Sequence, residues 1–422
     1  MRRGLSLLVL VGMLAAACAG DASESGSRSL RVQVSGEPEE TKVYRTVIAA
    51  FERQHEDIDV TLVEVPEKDE HLAKLATSFA GGDAPEVFLI NYREYAQFVV
   101  RGAIEPFQGF LESNDVDLDG YFPQPIEAFT YQGVLQCMPQ NVSSLVVYFN
   151  KDLFAAAGMS APPRDWDWAG FREVAVALTQ GDVHGLGIEP SIVRLAPFVW
   201  ANGGEIVDDD ADPSRFTLDQ PASREALEYL VGFVREDRVV PSEADVAAQD
   251  LETRFVSGKL GMYLSSRRDT PVFREVQGLD WDVAPLPTGK QQAGILHSDA
   301  YCLAAGVDPE KQADAARFVA FATGEQGQTI TALGGRTVPS LKAVARSGAF
   351  LDPTQPPAHS NVFLQGVASI RRTPVTSTWT EIEDIAEEIL TRAFYEPGYT
   401  IQDAIDALET ETEGLFEEGR AS

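Results

Sequence analysis

Leu145-Val146-Val147-Tyr148-Phe149 is an unbroken apolar run, ended by the polar Asn150-Lys151-Asp152. A burst this short, rich in β-branched and aromatic side chains, reads as a strand. Upstream stands a similar burst, Val87-Phe88-Leu89-Ile90, bounded by Gly81-Gly82 and Pro85, which suits a strand covered on both faces. Farther out the text alternates. Leu30, Val32 and Val34 repeat with period two; Val43, Val47, Ile48 and Phe51 fall at helical spacing; Ile58-Asp59-Val60-Thr61-Leu62 returns to period two. Leu72, Leu75 and Phe79 predict another helix, stopped by Gly81-Gly82. Downstream, Phe171, Val174 and Leu178, then Leu227, Leu230, Val231 and Val234, then Phe318, Val319 and Ala322 mark three more. Trp379, Ile382, Ile385, Ala386 and Ile389 predict a long amphipathic helix with an acidic outer face. Strands alternating with helices predict α/β architecture, and 422 residues predict two lobes.

The 34 basic and 65 acidic residues leave a formal charge of −31, which keeps the chain soluble and repels nucleic acid and anionic lipid. The five histidines, His55, His71, His184, His297 and His359, show no ligand-like spacing, so neither a metal nor another cofactor is expected. Cys137 and Cys302 either pair in an oxidising compartment or stand as buried thiols. His297-Ser298-Asp299 holds the residue types of a hydrolytic triad, but sequence neighbours point away from one another. No Gly-Lys-Ser phosphate loop or nucleophile elbow occurs, so binding is expected rather than catalysis.

Met1-Arg2-Arg3, the apolar stretch Leu5 to Ala17 and the small residues before Cys18 lay out a secretory signal, too short to span a bilayer. Leu14-Ala15-Ala16-Ala17-Cys18 resembles the lipobox of bacterial lipoproteins, which implies that Cys18 carries a lipid and begins the mature chain. The other reading is secretion after a cut near Ala17. Residues 1–18 are thus the signal, and 19–29, rich in Ser, Gly and Asp, a tether. The remainder is expected outside the cytoplasm, beside the outer face of the cell membrane.

Several blocks then resemble, in order, the extracellular solute-binding proteins of family 1. These are Phe51-Glu52-Arg53-Gln54 before Ile58; Leu75 through Gly81-Gly82-Asp83-Ala84-Pro85-Glu86-Val87; and Val100-Arg101-Gly102-Ala103-Ile104-Glu105-Pro106-Phe107. The opening run belongs to the longest block, Val147 to Phe154 through Ala157-Gly158 to Pro162-Pro163 and Asp165-Trp166. Phe255-Val256-Ser257-Gly258-Lys259-Leu260-Gly261-Met262 adds another. The resemblance implies a two-lobed, periplasmic-binding-protein-like fold of type II, with the ligand cleft between lobes joined by hinge segments. Crossovers are placed at Val142 to Ser144 and Ala293 to Ser298. The first lobe then takes 30–141 plus 299–345 and the second 142–298 plus 346–418. It further implies a monomer that captures a carbohydrate and serves the membrane permease subunits and ATPase of an ABC importer. A glycerol phosphate or polyamine ligand on the same fold is the alternative, and a secreted glycoside-acting enzyme a remote one.

Sugar recognition needs aromatic faces and planar polar side chains. Trp379, after a Pro-containing segment at a helix start, and Trp200, four residues before Gly204, are the aromatic candidates; the other reading of Trp379 is a core anchor. Asn91, Tyr92 and Arg93 follow a strand end, and Glu37 follows another through Ser35-Gly36. Asn141 and Ser143 sit at the first crossover and Asp299 at the second. Arg267 and Arg268 follow the Met262 strand, and Arg336 lies in Gly334-Gly335-Arg336-Thr337-Val338-Pro339-Ser340; each is either a ligand contact or half of a salt bridge.

Overall fold

The computed structural model describes residues 28–36, 38–163 and 165–421. The first lobe is built on a mixed sheet, with strand order Ile58–Val65, Arg28–Ser35, Val87–Asn91, Asp299–Ala304, Ile104–Glu105, and Met138–Pro139 also pairing on Asp299–Ala304. The first three strands run parallel, and Asp299–Ala304 joins antiparallel, Asp299 opposite Asn91. Val87 to Ile90 are buried, as a burst covered on both faces requires. Arg28 and Ser29, expected in the tether, already pair with Ile58 and Asp59.

The second lobe carries the opening run at Val146–Asn150, flanked antiparallel by Trp281–Ala284 and Leu260–Ser265, with His184–Gly187 parallel at the edge. Period-two alternation splits this sheet between two cores. Val147, Phe149, Met262 and Leu264 pack with the helices Trp168–Leu178, Ile192–Ala201, Pro221–Arg235 and Trp379–Tyr395. Tyr148, Tyr263, Trp281 and Val283 face the other way, with Phe255 and Phe273, in an apolar cluster continuous with the first lobe's core. Phe350, Phe363 and Val367, expected in the second lobe, also fall in that continuous cluster. The helix Trp168–Leu178 lies so close to the sheet that a Cβ on Gly185 would stand 1.8 Å from the Ala175 carbonyl oxygen. Glycine there is a packing requirement.

At the expected crossovers, Ser143 and His297 exchange two backbone hydrogen bonds of 2.9 Å. A third passage joins them: Ile370–Arg371 pairs in parallel with Gly294–Ile295. Cys137 and Cys302 form a disulfide within the first lobe, both fully buried.

Candidate functional site

Strand ends of the first lobe and the crossovers open on a cleft between the lobes. Its inner chamber, about 370 Å³, is lined by Ser35, Gly36, Lys68, Asn91, Arg93, Glu94, Asn141, Ser143, Ser266, Arg268, His297, Asp299 and Arg336, among others. Gly36, at φ 132°, lets the chain turn off its strand there. An outer chamber of about 240 Å³ shares Lys68, Arg93, Ser266, Arg268 and His297. It adds Ser191 to Arg194, Tyr263, Ser265 and the helix face Glu383, Asp384 and Glu387.

The polar side chains of the inner chamber hold one another. Asn91 Nδ2 donates to Asp299 Oδ1 at 3.0 Å. Asn141 donates through Nδ2 to the His297 carbonyl at 3.1 Å and accepts through Oδ1 from the Asp299 N–H at 2.8 Å, which fixes its amide plane. Asn91 Oδ1 accepts from both the N–H and Nε of Arg93, each at 3.2 Å. Arg93 Nη1 then reaches across to Glu383 Oε2 at 2.7 Å. Lys68 pairs with Glu94 at 3.3 Å, Arg194 with Glu189 at 2.8 Å and Arg268 with Asp269 at 3.2 Å. Charge is therefore largely paired within the walls.

Burial sets the electrostatics. It raises the Glu94 carboxyl above its ordinary value and works against the Arg93 guanidinium, but Glu383 and other negative neighbours leave Arg93 more strongly protonated than usual. Burial, then the charges of Arg194, Arg93 and Arg268, hold the His297 imidazole well below its ordinary pKa, so it is neutral. Its Nε2 is enclosed with no hydrogen-bond partner among the described residues. Burial also raises Asp384 and Glu387, next to other carboxylates of the outer rim.

Of the residues singled out from sequence, Asn91, Arg93, Asn141, Ser143, Arg268, Asp299 and Arg336 line the inner chamber. Four others stand elsewhere. Tyr92 is fully buried, its hydroxyl 3.1 Å from Thr373 Oγ1, tying the first lobe to the third passage. Arg267 is 1% exposed, stacked on Phe350 and Phe363 and donating to the Gly335 carbonyl and Ser360 Oγ. Burial pushes its pKa down to about 9. Trp200 lies under Arg371 in a helix buried along its whole length. Trp379 packs on Phe216 and Phe416 in the second lobe's core, because the apolar stripe it begins faces inward. Glu37 and Cys18 lie outside the described residues.

The aromatic platform expected from sequence is thus not supplied by these indoles. Among the described residues, Tyr263 is the one Phe, Tyr or Trp lining the two chambers. Sequence reasoning missed Lys68, the Ser191–Arg194 turn, His297 and the Glu383 face. His297 sat within an expected crossover, and the acidic helix face was visible; what that face opposes was not.

A family model described as bacterial extracellular solute-binding protein matches residues 46–358. A Brucella abortus protein described as a binding protein is 28% identical over 293 residues, 67% of this chain and 68% of the relative. An uncharacterised lipoprotein of Streptomyces antibioticus is 24% identical over 351 residues, covering 80% and 75%. Among solved structures, the ABC substrate-binding protein Lmo0181 of Listeria monocytogenes with cycloalternan aligns at TM-score 0.82 and 24% identity, over 93% of this chain and 98% of that one. Maltose-bound MalE3 of Thermotoga maritima gives 0.79 and 21%, over 92% and 99%. UgpB of Mycobacterium tuberculosis with glycerophosphocholine gives 0.81 and 19%, over 94% and 100%. These structural alignments establish a shared two-lobed fold, and the family model spans most of the chain. The chain belongs to the bacterial extracellular solute-binding proteins.

Proposed function

We propose that this protein captures a carbohydrate in the interlobe cleft and delivers it, chemically unchanged, to the permease subunits of an ABC importer. The observation that carries this reading is the inner chamber itself. Planar amide, carboxylate and guanidinium groups converge there, oriented by mutual hydrogen bonds and largely charge-paired. Such a set presents fixed donors and acceptors to hydroxyls at little reorganisation cost and favours no net charge on the ligand. The cycloalternan and maltose complexes on the same fold support the ligand class.

The reading includes a monomer held at the membrane through lipidated Cys18, supported by the lipoprotein relative. Cys18→Ala is expected to move the protein from the membrane fraction to the soluble one; retention after a high-salt wash would count against anchoring.

Thermal-shift screening against sugars, sugar phosphates and polyamines tests the ligand. A specific solute at a hundredfold excess over its dissociation constant adds ~2.7 kcal/mol of apparent stability. A shift with neutral saccharides alone supports the proposal. A shift confined to phosphates would favour the second reading, a glycerol-phosphate-type solute, for which Lys68, Arg268 and Arg336 in one chamber argue. Turnover of the bound solute would move the protein to the enzymes.

A further inference from the structure

Arg93 and Glu383 meet across the cleft from different lobes, 2.7 Å apart, with side chains 14% and 15% exposed. Each is anchored on its own side. Arg93 is held through its N–H and Nε by Asn91 Oδ1, in the loop after Val87–Asn91. Glu383 is held through Oε1 by the Trp379 indole N–H at 2.8 Å, on the helix Trp379–Tyr395. We propose that Glu383 is a positioning residue for solute capture: with Arg93 it forms a clasp that sets how far the lobes stand apart before solute arrives.

An exposed ion pair gains little because two long side chains must be immobilised in a screened medium. Here both ends are already fixed by a second hydrogen bond, and partial burial weakens salt screening. Hinge opening at the crossovers has to part the two groups, leaving each charge without its partner. Arg93 lines both chambers and Glu383 the outer one, so a solute settles around a closed clasp. A cleft held partly closed in advance raises the population that binds, and with it the apparent affinity. Trp379, expected at the cleft, acts here through Glu383 without touching solute. This inference rests on the family's solute-capturing role and not on the choice of a carbohydrate.

The test needs no ligand. Spin labels at Val100→Cys in the first lobe and Val176→Cys in the second, both exposed, report the interlobe distance in the full chain. Glu383→Gln keeps an acceptor for the Trp379 indole while removing the charge. It is expected to shift the unliganded population toward longer distances by about tenfold, in line with the coupling of close charge pairs. Should Glu383→Gln disturb its helix, Arg93→Met reads the same clasp from the other lobe. In the double variant the opening is expected to be no greater than in the wider single. Unchanged distances in both singles, or additive opening in the double, would overturn the clasp. Failure of the carbohydrate reading would appear only in the solute panel, so the two can fail separately.

Discussion

Trp379 and Arg267 show how far a residue type predicts its environment. The Trp379 ring is buried against Phe216 and Phe416, and its N–H satisfies Glu383. Removing a buried indole costs about 3–5 kcal/mol through lost contacts and the cavity left behind. Trp379→Ala is therefore expected to lower the melting temperature clearly, with a much smaller change in affinity measured by titration calorimetry with the best solute of the panel. A large loss of affinity at unchanged stability would return the indole to the cleft. The Arg267-Arg268 pair makes the complementary point. Both were visible as cations at a strand end, but the short 3-10 turn Arg267–Asp269 sends one inward and the next outward. Arg267 is 1% exposed, whereas the Arg268 side chain is 61% exposed. Residue chemistry said that a guanidinium stood at this strand end; only the turn decides which of the two faces the cleft.

Elements were more legible than sites, because periodicity is a local property. Alternation at Leu30, Val32 and Val34 corresponds to the strand Arg28–Ser35, and the stripe from Trp379 to Ile389 to the helix Trp379–Tyr395. What each face meets is not local. Arg93 and Glu383 lie 290 positions apart, so no spacing rule pairs them. The inner chamber was partly readable, since strand ends and crossovers supply Asn91, Asn141 and Asp299; the outer wall, made by helices, was not. Close packing of element on element gives a sharp test. Gly185→Ala would drive a methyl into the Ala175 carbonyl, and overpacking of this kind costs about 1–3 kcal/mol or more. Gly414→Ala, in the helix Ile401–Ala421 with nothing within 4 Å of the added carbon, is expected to stabilise by up to about 1 kcal/mol. Denaturant midpoints of the two variants should move in opposite directions; equal midpoints would mean that the second-lobe sheet gives way at no cost.

At the scale of the whole molecule, acid should weaken the fold through histidines that it buries neutral. Burial chiefly lowers His71 to about 4, where Nε2 contacts the Leu89 carbonyl and Nδ1 the Gln33 amide. Between that value and the unfolded ~6.5, the unfolded chain binds a proton that the native one refuses, so this contribution is complete above ~6.5 and is lost as pH falls. The loss is ~1.4 kcal/mol per pH unit for one such group. Raised carboxylates such as Glu94 act in the opposite sense, so the histidine is isolated by difference. The stability advantage of the parent over His71→Gln, from denaturation at a series of pH values, should shrink from pH 7 to 4.5; a constant advantage would mean that His71 titrates in the native state as it does in the unfolded chain. The two-lobed architecture was readable from rhythm and length, but the apolar layer that runs unbroken between lobes was not, because alternation does not reveal which sheet face has company. Cys137 and Cys302 stand 165 positions apart, one just before the chain departs for the second lobe and the other just after its return. Everything between the two cysteines is thus a covalent ring, closed on the first lobe by one sulfur–sulfur bond. A protease that cuts anywhere in that ring would produce two fragments that stay tethered, and only a reductant would let them part.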